Sequence, residues 1–444
     1  MPDDVLIIGG GLAGLAAGVA LAEGGCRVRL LEQKPYLGGR ARSFRDTATG
    51  SVIDNGQHLF MGCYHSTLKF LEAIGTSQTV TFDPQLRVRF LDVDGKLSEL
   101  RCPSFPAPWH LLAGVCLSDS FTFGEKMDVL RMGRALRAAN KAGPSLEQLT
   151  VEEWLSELGQ RESLRRNFWD LLCIAAMNED PQITSASLFR RVLRLALFNS
   201  PLDSRLGVPR AGLSDCYTDA AARAIADRGG SVELQRDVRA LLVSNGECHG
   251  VKLADGTAIE ARTVLSAVPW HVLPMLLPGE AVNSEPIFSR ILGLHPAPII
   301  SVYLWFDRPV TDLEFVGLRG TTIQWLFNKG KILGTGENYI SLVLSGAHEH
   351  VARSKEDLLD TAVQELRSLL PGMGGARLTH SLVIKERFAT FSPCVGVDSL
   401  RPPAVTPVRG LYLAGDWTDT GLPATIEGAV QSGYFAAEAI LHSN

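Results

Sequence analysis

The sequence predicts an α/β protein built around a Rossmann-like nucleotide-binding sheet. Three observations carry that prediction: the all-apolar run Val5-Leu6-Ile7-Ile8, the turn Gly9-Gly10-Gly11-Leu12-Ala13-Gly14 directly after it, and an acid at Glu32. An unbroken apolar run of this length suits a central parallel strand covered on both faces. Gly9 permits the tight turn out of the strand, Gly11 lets the backbone approach a pyrophosphate, and Gly14 lets the next helix pack closely on the sheet. A helix from Leu12 to about Gly24 then aims its free N–H groups and positive dipole end at phosphate. Arg27-Val28-Arg29-Leu30-Leu31 reads as the second strand. It delivers Glu32 where a carboxylate accepts hydrogen bonds from a ribose diol, roughly 20 residues past the glycines.

Further elements follow in order. Val151–Leu158 and Ser163–Met177 have helical patterns; Ser231–Leu234, Asp237–Leu241 and Thr263–Pro269 read as strands. Ile299–Phe306 and Ile323–Phe327 supply strands of a second sheet. The chain ends with Leu413-Ala414-Gly415-Asp416-Trp417-Thr418 and a helix starting near Thr425. Gly334-Thr335-Gly336 is the one later Gly-x-Gly of interest, and Tyr339 stands where a third glycine is needed, so a second dinucleotide site is not expected.

Composition narrows the class. A chain of 444 residues is long enough for two domains, and 45% hydrophobic with 20% charged residues excludes a disordered or extended charged chain. A net charge of −5 argues against a nucleic-acid partner. The eight cysteines form no C-x-x-C pair and no metal-like cluster with histidine, so no metal is expected and a reducing, cytoplasmic compartment is. No signal peptide precedes the first strand, and no apolar run reaches the roughly 20 residues that cross a bilayer.

Gly38-Gly39-Arg40 resembles the Arg-x-Gly-Gly-Arg element of the amine oxidase–phytoene desaturase flavoproteins, with Tyr36 or Leu37 in place of the first Arg. Gly415-Asp416 resembles their second FAD fingerprint. The resemblance implies FAD in a discontinuous binding domain, residues 1–75, 206–270 and 405–444, with an interleaved α+β substrate domain, 76–205 and 271–404. It further implies that Gly39 and Arg40 meet the pyrophosphate region and that Asp416 meets the ribityl chain. Thr425 and Ile426 would begin a helix aimed at the flavin's pyrimidine edge, where its dipole favours the reduced anion. Pro209–Ser214 resembles a helix-opening stretch of desaturases, and Val238 inherits a backbone contact with adenine. The expected cofactor set is thus Gly9, Gly11, Leu12, Ala13, Gly14, Glu32, Gly39, Arg40, Val238, Gly415, Asp416, Thr425 and Ile426.

A narrower resemblance covers nearly the whole chain. Asp54-Asn55-Gly56-Gln57-His58 with Tyr64, Pro106–Leu112, Leu304–Pro309, Gln324–Phe327 and Asp419–Glu427 are similar to the squalene-associated FAD-dependent desaturases of hopanoid clusters. That family is associated with dehydroxylation of hydroxysqualene to squalene by reduced FAD. It implies a polyprenyl substrate and an external electron donor; the related carotenoid-type desaturation and, more remotely, amine oxidation are the alternatives. Loss of water from an allylic alcohol leaves an allylic cation, so the chemistry asks for an apolar tunnel, aromatic faces and a proton donor. Trp305, Phe306, Trp325, Phe327, Phe388 and Phe391 are the candidate aromatic faces, each more simply read as core. His58 is the first candidate acid and Tyr64 the second; orienting its loop or contacting FAD fits His58 equally.

The apolar stretch Trp109–Leu117 is followed by Arg131, Arg134, Arg137 and Lys141, which fall on one helical face, and residues 188–198 repeat the theme. Such surfaces suit peripheral contact with anionic lipid at the inner face of the membrane, or a solvated helix face over a tunnel wall.

Overall fold

The computed structural model describes residues 5–137 and 146–443. Lys141 therefore lies outside the described residues. The first strand, Val5–Ile8, is fully buried and sits at the centre of a five-stranded parallel sheet. Its neighbours are Val28–Leu31 and Val264–Ser266, with Ser231–Glu233 and Leu411–Leu413 at the edges. Sequence-distant strands thus complete one sheet, and each of these carries its chain toward the same end.

The glycines set the spacing at that end. A Cβ on Gly14 would run into the Gly9 carbonyl oxygen, so only glycine lets the helix Leu12–Glu23 start this close to the strand. The C-terminal helix Ile426–Ser443 crosses it as closely, because a Cβ on Gly433 would strike the Ala13 carbonyl. The helix Leu213–Ala226 packs on the same cluster through Leu213, Cys216 and Ile225.

A seven-stranded sheet stands beside this unit, in the order Leu378–Phe391, Pro296–Phe306, Tyr339–Leu344, Trp325–Asn328, Phe315–Arg319, Arg87–Asp92, Leu97–Arg101. All neighbours are antiparallel except Phe315–Arg319 and Arg87–Asp92. Side chains alternate across the sheet. Ile300, Val302, Leu304 and Phe306 bury themselves with the helix Lys355–Leu369 on one face. Ile299, Val343, Trp325 and Phe327 occupy the other, which forms a floor for the cavity described below.

Several helices roof that floor: Trp109–Leu117, Phe123–Arg137 and Ala186–Leu197. The stretch 163–177 is not one regular helix. Glu162–Leu164 leads into a π-helical segment, Arg165–Trp169, and then Asp170–Met177, which closes on Asn178 in a left-handed conformation (φ 55°). The π segment places Phe168 and Trp169 on the cavity wall. Val238–Ser244 does not join the parallel sheet; it forms an antiparallel ribbon with Glu247–Leu253 and Ala258–Glu260.

Candidate functional site

One cavity of about 1180 Å³ runs from the glycine turn to the roofing helices. Gly9, Gly11, Leu12, Ala13, Glu32, Gly39, Arg40, Val238, Gly415, Asp416, Thr425 and Ile426 all line it, as do His58 and Tyr64. Gly14 does not. Its place is against Gly9 beneath the turn, where it sets helix–strand spacing and has no open surface.

The nucleotide end has the features of an anion cradle. No atom lies within 4 Å of where a Gly11 Cβ would stand, and Gly11 caps its helix without any side chain covering the free N–H groups. Glu32 is buried; its carboxylate accepts from the Gly10 N–H at 2.7 Å and the Lys34 N–H at 2.8 Å, which fixes it at the end of its strand. The two terminal fingerprints are joined directly. Arg40 donates from Nη2 to Asp416 Oδ1 at 2.6 Å and from Nη1 to the Ala389 carbonyl at 2.8 Å. Behind them the buried Arg401 donates to the Asp416 carbonyl at 3.2 Å and to Thr420 Oγ1 at 3.0 Å, so the 416–420 loop is braced from beneath.

The loop carrying His58 is pinned at its start by groups that do not face the cavity. Asp54 is fully buried, and its carboxylate accepts from Lys329 Nζ at 2.7 Å, Ser43 Oγ at 2.7 Å and the Leu213 N–H at 3.0 Å. Lys329, equally buried, was not legible as a site residue: it lies 275 residues from its partner, in a sequence context with no motif. Beyond Asp54, Asn55 Nδ2 donates to the Arg40 carbonyl at 3.3 Å and to Glu386 Oε2 at 3.2 Å. His58 Nδ1 sits 2.7 Å from the Gly56 carbonyl oxygen, so the neutral ring carries its proton there and leaves Nε2 bare. Burial pushes the His58 pKa below its ordinary value, with the Lys329 charge adding to this against the Gly56 carbonyl and Asp54. Burial pushes the Tyr64 phenol the other way, well above its usual range. Glu427 then ties the next helix, His65–Ala73, to the C-terminal one by accepting from the Ser66 and Thr67 N–H groups at 2.9 and 2.8 Å.

The rest of the cavity is apolar. Leu86, Phe90, Leu112, Val115, Leu172 and Val192 are representative of its walls. Of the six aromatic candidates, Trp325 and Phe327 line it and the others do not. Trp305 shares their sheet face but stacks on Tyr339 and donates to Ser51 under the neighbouring loop. Phe306 falls on the opposite face by strand alternation, and Phe391 is buried under the Arg401 guanidinium. Phe388 is exposed against His271. At the far end, Trp109, Leu130, Arg134, Arg137 and Leu195 border the cavity. Beside them Phe123, Leu117 and Trp109 are 81%, 73% and 57% exposed. The basic face is not uniform: Arg131 pairs with buried Asp128, whereas the Arg137 guanidinium stands over the Trp109 ring at 5.8 Å.

A family model for flavin containing amine oxidoreductases matches residues 12–441. A hydroxysqualene dehydroxylase of Sinorhizobium fredii is 30% identical over 99% of this chain and 99% of its own. A 15-cis-phytoene desaturase of Synechococcus elongatus is 26% identical over 98% of this chain and 95% of its own. An oxidoreductase from Methanosarcina mazei has the same fold, with a TM-score of 0.75 at 17% identity over 98% of this chain and 99% of its own.

Proposed function

The chain belongs to the flavin containing amine oxidoreductase family and takes FAD as its cofactor; from that premise we propose that it reductively dehydroxylates hydroxysqualene to squalene. One observation carries the reading: the nucleotide cradle and a long apolar tunnel are two ends of a single cavity. The tunnel suits a polyprenyl chain, because each buried CH₂ contributes about 0.8 kcal/mol and few polar walls need a partner. The somewhat higher identity to the Sinorhizobium dehydroxylase, 30% against 26% to the Synechococcus desaturase, supports this reaction over desaturation.

In this reading the segments 1–75, 206–270 and 405–444 hold FAD, and 76–205 with 271–404 shape the tunnel. Gly9, Gly11, Leu12, Ala13 and Gly39 line the end that takes the pyrophosphate, where the space beside Gly11 is open and its helix terminus faces the phosphates. Glu32 takes the ribose hydroxyls, Val238 borders the adenine, and Thr425 and Ile426 begin the helix that faces the flavin's pyrimidine edge. Arg40 and Asp416 hold each other in place where the pyrophosphate and ribityl chain pass. FAD, when bound there and reduced, would supply the hydride that replaces the hydroxyl on the allylic carbon. Trp325 and Phe327 present ring faces to the positive charge that develops there. His58 and Tyr64 line the same cavity. Electrons reach the flavin from an external donor.

The substrate enters through the far mouth. Exposed Phe123, Leu117 and Trp109 beside Arg134 and Arg137 favour peripheral docking on an anionic bilayer, at its inner face, with the tunnel opening into the lipid. No helix among the described residues is long and apolar enough to cross a membrane. The test is anaerobic incubation of dithionite-reduced protein with hydroxysqualene, followed by product extraction. Squalene with oxidised flavin is expected. Faster insertion of double bonds into squalene or phytoene by the oxidised protein would favour desaturation instead.

A further inference from the structure

Departure of a hydroxyl group needs a proton, and the cavity holds few groups free to give one. Among the described residues five acidic side chains line it: Glu32, Asp237, Glu386, Asp416 and Glu427. Four are committed. Glu32 accepts two backbone N–H groups, Asp416 holds Arg40, Asp237 pairs with Arg239 at 2.7 Å, and Glu427 takes Ser66, Thr67 and the Thr67 hydroxyl. Glu386 has a single hydrogen-bond donor among the described residues, the Asn55 side-chain amide.

Its position is equally distinctive. Glu386 pairs across the sheet with Ile299, and Ser301, two residues on, pairs with Val343, which pairs with Trp325. Directly opposed residues share a sheet face. The carboxyl therefore stands on the apolar floor formed by Ile299, Val343 and Trp325. Three residues further along the same strand, Ala389 offers its carbonyl to Arg40. Asn55 spans the same seam, donating to both the Arg40 carbonyl and Glu386. The Glu386 side chain thus sits where the cradle meets the tunnel, which is where the reacting carbon must lie.

We propose that Glu386 is the proton donor to the departing hydroxyl, an assignment that rests on the dehydroxylation reading above. The Glu386 carboxylic acid gives its proton to the hydroxyl oxygen; the C–O bond breaks with its electron pair on oxygen, and water leaves. The allylic cation takes a hydride from reduced FAD, forming the C–H bond and leaving oxidised FAD, while Glu386 remains as carboxylate until solvent reprotonates it. The new carboxylate lies beside the cation, where low dielectric strengthens their attraction. His58 is a poorer source, since its proton is held on the Gly56 side and burial disfavours a second one. Tyr64 is a weaker acid for the same burial.

The test uses FAD-loaded, dithionite-reduced protein in single turnover with hydroxysqualene, following flavin reoxidation. Glu386→Gln should keep its FAD and reoxidise about 10²–10⁴ times more slowly, the usual worth of general acid catalysis. Glu386→Asp should recover part of the rate. Reoxidation of Glu386→Gln within about threefold of wild type, or loss of FAD from it, overturns the assignment while wild-type turnover leaves dehydroxylation standing. Failure of the wild type itself to be reoxidised overturns both.

Discussion

Asp54 and Lys329 show how much of this site is held from behind. Both side chains are fully buried and 2.7 Å apart, so neither charge has water to fall back on. Removing one member of such a pair costs about 3–5 kcal/mol, because the other remains as an uncompensated buried charge. Lys329→Met should therefore lower the thermal unfolding midpoint sharply. Adding Asp54→Asn should recover part of the loss: asparagine keeps a carbonyl oxygen for the Leu213 N–H but no charge. A double variant no more stable than Lys329→Met would contradict this account, and paired melting curves decide it. The sequence marks Asp54 through its motif, but nothing local marks Lys329 or Glu386. Each stands among other charged residues in its element, Lys331 beside Lys329 and Lys385 and Arg387 beside Glu386, and takes its meaning from a partner 275 or 331 residues away.

The parallel strand at Val5–Ile8, the glycine turn, the following helix and Glu32 were legible because each depends on local geometry. A strand buried on both faces is apolar throughout, and a tight strand-to-helix turn leaves room only for glycine. Elements governed by distant packing were less so. The 163–177 stretch has helical periodicity but is interrupted by a π segment that turns Phe168 and Trp169 to the cavity. Trp305 and Phe306 looked equivalent, yet strand alternation sends one to each face, and the Ser51–Ile53 region covers Trp305. The contact between the loop after the second strand and the loop after the last one yields a prediction. Asp416→Ala removes the partner of Arg40 and the carboxylate read as the ribityl contact. A hydrogen bond to a charged group is worth about 1.5–3 kcal/mol, so FAD affinity should fall by about 10–100-fold with the fold retained. Flavin titration of the apoprotein measures this. Unchanged affinity would remove Asp416 from the cofactor site.

Across the whole molecule, the parallel sheet supplies a rigid cradle, the seven-stranded sheet a floor, and the helices a roof that ends in exposed apolar tips. That arrangement predicts binding to vesicles containing anionic lipid, weakened by salt. Fully burying a phenylalanine is worth about 1.5–3 kcal/mol, so Phe123→Ser should weaken vesicle binding by about tenfold or more. Flotation with neutral and anionic vesicles reads the effect, and equal binding by Phe123→Ser would place the docking face elsewhere. The central claim is that a hydride from reduced flavin replaces a hydroxyl group. The hydrogen on the reduced flavin's N5 exchanges with solvent, so the measurement is single turnover of reduced protein with hydroxysqualene in D₂O, followed by mass and NMR analysis of the product. Squalene carrying a single deuterium, on the carbon that bore the hydroxyl, is the predicted result. Squalene without deuterium at that carbon, or a product bearing a new double bond, would contradict it.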